Sequence, residues 1–216
     1  RLAAAAAVVV LAVLAIAQLV LPRIAASRIS SRVGRYGHVE HVSVSAWPAV
    51  ELLWGDADSV RVSASRLALS PAQAAALLWE GRGVARMDLT AAAARIGTLQ
   101  LDDAALHKRG ELLSAEAHAS AAAVRAALPA GMSVRLLRSG GGQIEVQASG
   151  ALFGLGAAID AIAGPLEGRL IARPAGELLS GLQLKLFSDP HVHVSAVGAS
   201  GDGAGGYRLS MGALLR

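Results

Sequence analysis

Cysteine is absent from the 216 residues. No disulfide can therefore staple the fold, no thiolate can hold a metal, and neither an oxidising nor a reducing compartment is excluded. Aromatic side chains make up only 3%, which leaves the core to alanine, valine and leucine and allows it to be thin or partly hollow. Lysine occurs only as Lys108 and Lys185. Arginine supplies the rest of the positive charge, and together with the alanine excess this pattern fits a coding bias. Charged residues total 17% and the net charge is +4, with the arginines dispersed, so no nucleic-acid partner is expected.

Catalytic motifs are also missing. There is no Walker phosphate loop, no HExxH and no nucleophile elbow, and Gly154-Leu155-Gly156 lacks the third glycine of a dinucleotide fingerprint. The acids Asp102-Asp103 and Asp56/Asp58 read as solvated turns. His38 with His41, and His191 with His193, offer two imidazoles each but no obvious third ligand, so ordinary strand positions are favoured over zinc. The chain reads as non-enzymatic, with no catalytic residue, metal or cofactor assigned.

What the sequence does have is one long apolar run. Residues 2–21 contain a single polar residue, Gln18, and a helix of about twenty residues spans the roughly 30 Å of a bilayer core. Pro22 and Arg23 are expected to close it. Ala15-Ile16-Ala17 has the small-x-small form of a cleavage site, but the apolar run continues past it, which favours an uncleaved anchor. Arg28, Arg32 and Arg35 fall on one face of the following helix and Ala26, Ile29 and Val33 on another. That basic face suits either anionic headgroups or plain solvent. Arg23, Arg28, Arg32 and Arg35 taken alone would place the domain in the cytoplasm, while positive charge ahead of Arg1 would reverse this.

Beyond Gly37 the period changes to two. His41–Ser45, Ser59–Ala64, Arg86–Thr90, Ser133–Leu136, Gln143–Gln147, Leu182–Leu186, His191–Val194 and Tyr207–Met211 alternate apolar with polar residues and predict antiparallel strands. Gly140-Gly141-Gly142 predicts a hairpin, and residues 201–206 a looser connection. Three helices are expected: residues 72–79 behind a Ser70-Pro71 cap, residues 115–128 capped by Ser114, and residues 155–163. The expected organisation is a membrane segment over residues 1–22, a basic juxtamembrane helix over 23–36 and one α+β domain over 37–216. That domain would be a long, curved, mostly antiparallel sheet without βαβ units, packed with about three helices on one face around an elongated apolar groove.

Trp47-Pro48-Ala49-Val50-Glu51-Leu52-Leu53-Trp54-Gly55 is unusually apolar for a connection. It reads either as a lip at a membrane interface or as a core plug, and the tendency of large apolar residues to be buried favours the plug. At this stretch the chain resembles the LmeA-like phospholipid-binding proteins of actinobacterial cell envelopes. The resemblance runs from the N-terminal span and the Arg23–Arg35 helix through Trp47-Pro48 and Leu52-Leu53-Trp54-Gly55 into Asp58-Ser59-Val60-Arg61-Val62 and the later strands.

It implies an anchored protein, with its domain on the extracytoplasmic side of the plasma membrane, that holds phospholipid in an elongated apolar cavity of the tubular lipid-binding kind. The role implied lies in envelope lipid or lipoglycan metabolism. On that reading Trp47, Leu52, Leu53, Trp54, Val60, Val62, Leu67, Leu69, Met87, Leu89 and Ile96 contact acyl chains, and Arg28, Arg32 and Arg35 meet headgroups. The partners are membrane phospholipid, the bilayer and envelope glycan or lipid enzymes. The alternative is an envelope scaffold whose core is full, and a metal enzyme built on His191 and His193 is the minor third.

Overall fold

The computed structural model describes residues 18, 20–47, 52, 56–152, 155–176, 181–203 and 205–216. The apolar run of residues 2–21 therefore lies almost wholly outside the described residues, and no described helix is long and apolar enough to cross a membrane. The first helix, α1, covers residues 20–33 and runs through Pro22 instead of ending before it. Proline removes one backbone donor but is locked near helical φ, so it need not end the helix. A single 3₁₀ turn, Gly34–Tyr36, leads into the first strand.

Twelve strands follow: β1 Gly37–Ser45, β2 Ala57–Leu69, β3 Val84–Ile96, β4 Leu99–Arg109, β5 Leu112–Ser120, β6 Ser133–Gly140, β7 Gln143–Leu152, β8 Leu155–Leu166, β9 Arg169–Pro174, β10 Leu184–Phe187, β11 Val192–Gly201 and β12 Gly206–Leu215. They build a seven-stranded sheet in the order β1-β2-β3-β4-β5-β12-β11 and a five-stranded sheet in the order β10-β9-β8-β7-β6. The mostly antiparallel character is as expected, with one exception. β2 and β3 are parallel, joined by helix α2, Pro71–Glu80. This is a βαβ unit that the alternation of the strands alone did not reveal, and a parallel pair needs such a crossover to bring the chain back to its starting end.

Helix α2 starts where the Ser70-Pro71 signal placed it. The Ser70 hydroxyl accepts the Gln73 N–H at 3.2 Å, and the Gln73 side chain accepts the Ser70 N–H at 2.8 Å, a complete capping box. The helix expected over residues 115–128 is instead β5 followed by a short α3, Ala121–Ala127, capped by the Ser120 hydroxyl at 3.0 Å from the Ala123 N–H. The helix expected over residues 155–163 is strand β8. Both segments are rich in alanine, which favours helix locally, but each lies between two partner strands, β4 and β12 for β5 and β7 and β9 for β8. Ladder pairing on both edges outweighs a propensity difference of a few tenths of a kcal/mol per residue.

The register sorts the seven-stranded sheet into two faces. One carries the row Val42, Val62, Leu89, Leu106, Ala115, Met211, Val197, each opposite the next across all seven strands. A parallel row runs Val44, Val60, Met87, Lys108, Leu113, Ala213, Val194. The other face is polar, as in the row Ser43, Arg61, Asp88, His107, Ser114. Helices α1 and α2 cover opposite ends of the apolar face. Ile29 and Val33 pack with Val60, Val62, Leu67 and Ala91, whereas Ala75, Leu78 and Trp79 pack with Leu113, Val192, Ala213 and Leu215. Gly37 is required where α1 gives way to β1, because a Cβ there would sit 1.9 Å from the Arg66 carbonyl oxygen.

The five-stranded sheet meets β11 through its turns. Gly141 and Gly142, at φ 59° and 77°, close the expected β6–β7 hairpin, the backbone a tight two-residue turn demands. The Gly142 carbonyl accepts the Val197 N–H at 2.9 Å and the Gly168 carbonyl accepts the Val194 N–H at 2.8 Å. The Ser139 hydroxyl accepts the Ala199 N–H at 3.0 Å. The edge strand β11 thus spends donors on the turns of the second sheet, which protects it from pairing with another chain.

Candidate functional site

The residues expected to contact lipid separate by location. Val60, Val62 and Leu67 are each only 3% exposed and form the cluster beneath α1. Met87, Leu89, Leu69 and Ile96 are half-buried on the same face, with Val60 opposite Met87, Val62 opposite Leu89 and Leu69 opposite Ile96. Leu52 is half-buried against the same cluster. Trp47 is not a core plug, because it stands 77% exposed. Its N–H donates to Asp58 Oδ2 at 2.7 Å, which fixes the chain beyond β1 while the indole faces outward. Leu53 and Trp54 lie outside the described residues.

Two further apolar areas belong with this group. The middle of the seven-strand row, Leu106, Ala115 and Met211, is half-buried like Leu89; Met211 lies on a strand that alternation predicts, whereas Leu106 and Ala115 lie on strands β4 and β5, where it does not. The second is the described part of one face of the five-stranded sheet, apolar except for Ser139 opposite Ile144. Its rows are Leu184, Ala172, Ala163, Ile144, then Pro174, Ala161, Val146, Leu136, then Ile159, Ala148, Val134. None of these side chains is fully buried, and Leu184 is 65% exposed. The opposite face is mostly polar, although Ile162 and the buried Ile171 also lie on it. Arg138 pairs with Glu145, Arg135 donates to Gln147 at 3.0 Å, Gln147 donates to Asp160 at 3.1 Å, and Ser133 bonds Ser149 at 2.8 Å.

A cleft of about 390 Å³ opens where α2, β3, β4 and the end of β12 converge, lined by Trp79, Arg82, Val84, Lys108, Glu111, Leu215, Arg216 and neighbouring backbone. Lys108 is its unusual member. It occupies an apolar row yet is only 1% exposed, and its ammonium donates to the carbonyls of Arg82, at 3.0 Å, and Val84. Burial lowers its pKa from the ordinary lysine value, offset in part by the charge of Glu111. Arg82 lies 4.7 Å over the Trp79 ring, and the other side of the story is a stack of Trp79 with His191 at 3.8 Å.

The expected headgroup arginines lie apart from this cleft. Arg28, Arg32 and Arg35 are exposed on α1 and its 3₁₀ extension, and Arg32 pairs with Glu80 of α2 at 2.6 Å. The histidine pairs divide as well: a bulge separates His38 from His41, and His191 stacks on Trp79 while His193 packs against Gly168. Among the described residues no group of three His, Asp or Glu side chains is placed to hold a metal.

On the polar sheet face, Asp88 Oδ1 lies 2.7 Å from His107 Nδ1 and accepts from Arg109 at 2.7 Å. The hydrogen bond to His107, then that to Arg109, holds the Asp88 carboxyl below its usual range. Ser114 lies opposite His107 in register, with no hydrogen bond between the two. Neither a protein-family model nor a curated protein nor a solved structure matches the chain.

Proposed function

We propose that the protein binds phospholipid or a related lipid non-catalytically, its acyl chains lying along the apolar sheet faces, in support of envelope lipid or lipoglycan metabolism. The observation that carries this reading is the five-stranded sheet. Three described rows of one face are apolar apart from Ser139, which stands opposite Ile144, yet none of those apolar side chains is fully buried. The half-buried Leu89, Leu106, Ala115 and Met211 of the larger sheet add further aliphatic surface that is only partly covered. Such a surface costs free energy in water and contributes about 0.8 kcal/mol per methylene when a hydrocarbon chain covers it. On this reading, as the resemblance to LmeA-like proteins implies, the apolar run of residues 2–21 is a membrane anchor and the domain is extracytoplasmic.

The test uses the full chain in a membrane-containing host with a benzophenone amino acid placed, in separate variants, at Leu106, Ile159 or His107. Light should give a lipid-mass adduct at Leu106 and Ile159, on the apolar faces, and none at His107, on the polar face. Equal yields at all three positions, or none at either apolar position, would reject lipid binding on these faces.

The second reading, an envelope scaffold, rests on a particular observation. Leu182, Leu184 and Leu186, at the edge strand β10, are 61%, 65% and 46% exposed, and an edge strand with an apolar row suits pairing with another protein. Under that reading the same photoprobe would capture protein in place of lipid.

A further inference from the structure

The cleft at the end of α2 is not used by any of the apolar surfaces, and its charges are unbalanced. Arg82, Lys108 and Arg216 line it together with one acidic side chain, Glu111. No carboxylate lies within 4 Å of any of the three cations among the described residues, whose ion pairs are Arg32 with Glu80, His107 and Arg109 with Asp88, and Arg138 with Glu145. Like charges gathered in one concavity repel, and a buried ammonium is costly unless it is paired. Lys108 has three N–H donors and uses two, on the carbonyls of Arg82 and Val84.

The βαβ crossover places Arg82 just beyond α2, and the β3–β4 register brings Lys108 opposite Met87 on the neighbouring strand. Trp79 holds the Arg82 guanidinium over its ring, and His191 braces Trp79 from stacking distance. The Arg216 backbone is tied to the His191 carbonyl at 2.9 Å. Val84 and Leu215 form apolar walls. Two arginines and one buried lysine line a cleft of about 390 Å³, the Arg82 guanidinium also donating to the Trp79 carbonyl at 3.3 Å, and guanidinium contacts a tetrahedral oxyanion in a bidentate manner.

We propose that this cleft binds a phosphate ester, held by Arg82, Lys108 and Arg216. The ester has two possible sources, a soluble phosphate monoester or the headgroup of an anionic lipid, and the chemistry recognised is the same for both.

The test is equilibrium binding to the full chain in neutral detergent of glycerol 3-phosphate, alongside nanodiscs of phosphatidic acid or of phosphatidylcholine. Arg82 and Arg216 are both exposed, so Arg82→Gln and Arg216→Gln should fold, and Arg28→Gln serves as a charge-matched control. Glycerol 3-phosphate bound by the wild type and weakened about tenfold or more in each cleft variant, but not in Arg28→Gln, supports the site with a soluble ligand. Preference for phosphatidic acid over phosphatidylcholine with the same pattern of variants, and no glycerol 3-phosphate binding, supports it with a lipid headgroup. Absence of binding to both phosphate probes overturns the proposal, as does binding that Arg82→Gln and Arg216→Gln leave unchanged.

Discussion

Lys108 shows how one side chain can be both an anomaly in the packing and a reporter of it. Its neighbours in the row are Val60, Met87 and Leu113, so its stem substitutes for an aliphatic residue while its ammonium is carried to the carbonyls of Arg82 and Val84. The folded chain releases the Lys108 proton at lower pH than the unfolded chain, because burial disfavours the charged form. Across the interval between those two values the unfolded state binds more protons, and stability rises with pH. Lys108→Met keeps the stem and removes the titration. Urea midpoints measured between pH 7 and the ordinary lysine range of about 10 should rise for the wild type relative to Lys108→Met, and parallel profiles would show that Lys108 titrates alike in both states.

Among the elements, α2 is where local sequence and final structure agree most fully. Ser70, Pro71 and Gln73 satisfy the donors at its start, and the helix must form for β2 and β3 to lie parallel. Ser70→Ala should lower stability by about 1 kcal/mol, read as a reduced urea midpoint with an unchanged slope. The same reading of caps does not hold at the third strand after it, where Ser114 lies within β5 and Ser120 is the cap. Strands β1, β2, β3, β6, β7, β10, β11 and β12 are legible in the sequence because apolar residues alternate with polar ones there. β5 and β8 were concealed, since alanine on both faces erases the alternation and only the neighbouring strands decide. The cleft was illegible for a related reason: Arg82, Lys108 and Arg216 are far apart in the chain, and it is the crossover and the register that unite them.

At the scale of the molecule, the decisive contact is the one between the two sheets, because the apolar faces proposed to hold lipid depend on how the smaller sheet is attached. The described attachment is through backbone donors of β11 and the turns at Gly142 and Gly168, with Ser139 adding a hydroxyl. Gly168 is the sensitive point. Its φ is 78°, and a Cβ there would lie 2.5 Å from His193 Nδ1, so a side chain meets both the cost of a left-handed backbone, about 1–2 kcal/mol, and a collision. Gly168→Val should loosen the attachment without disturbing the cluster around Val60 and Val62, which lies on the strands farthest from β11 in the sheet order. Hydrogen exchange should accelerate about tenfold at the Val194 amide, the exchange equivalent of that energy, while the amides of β2 and β3 keep their protection. Equal acceleration throughout would mean that the sheets unfold as one cooperative unit, whereas unchanged exchange at Val194 would mean that the Gly168 carbonyl is not what protects it. If the selective pattern is found, the same variant should also lose lipid crosslinking at Ile159 on the smaller sheet while retaining it at Leu106 on the larger, since only the smaller sheet will have lost its fixed position.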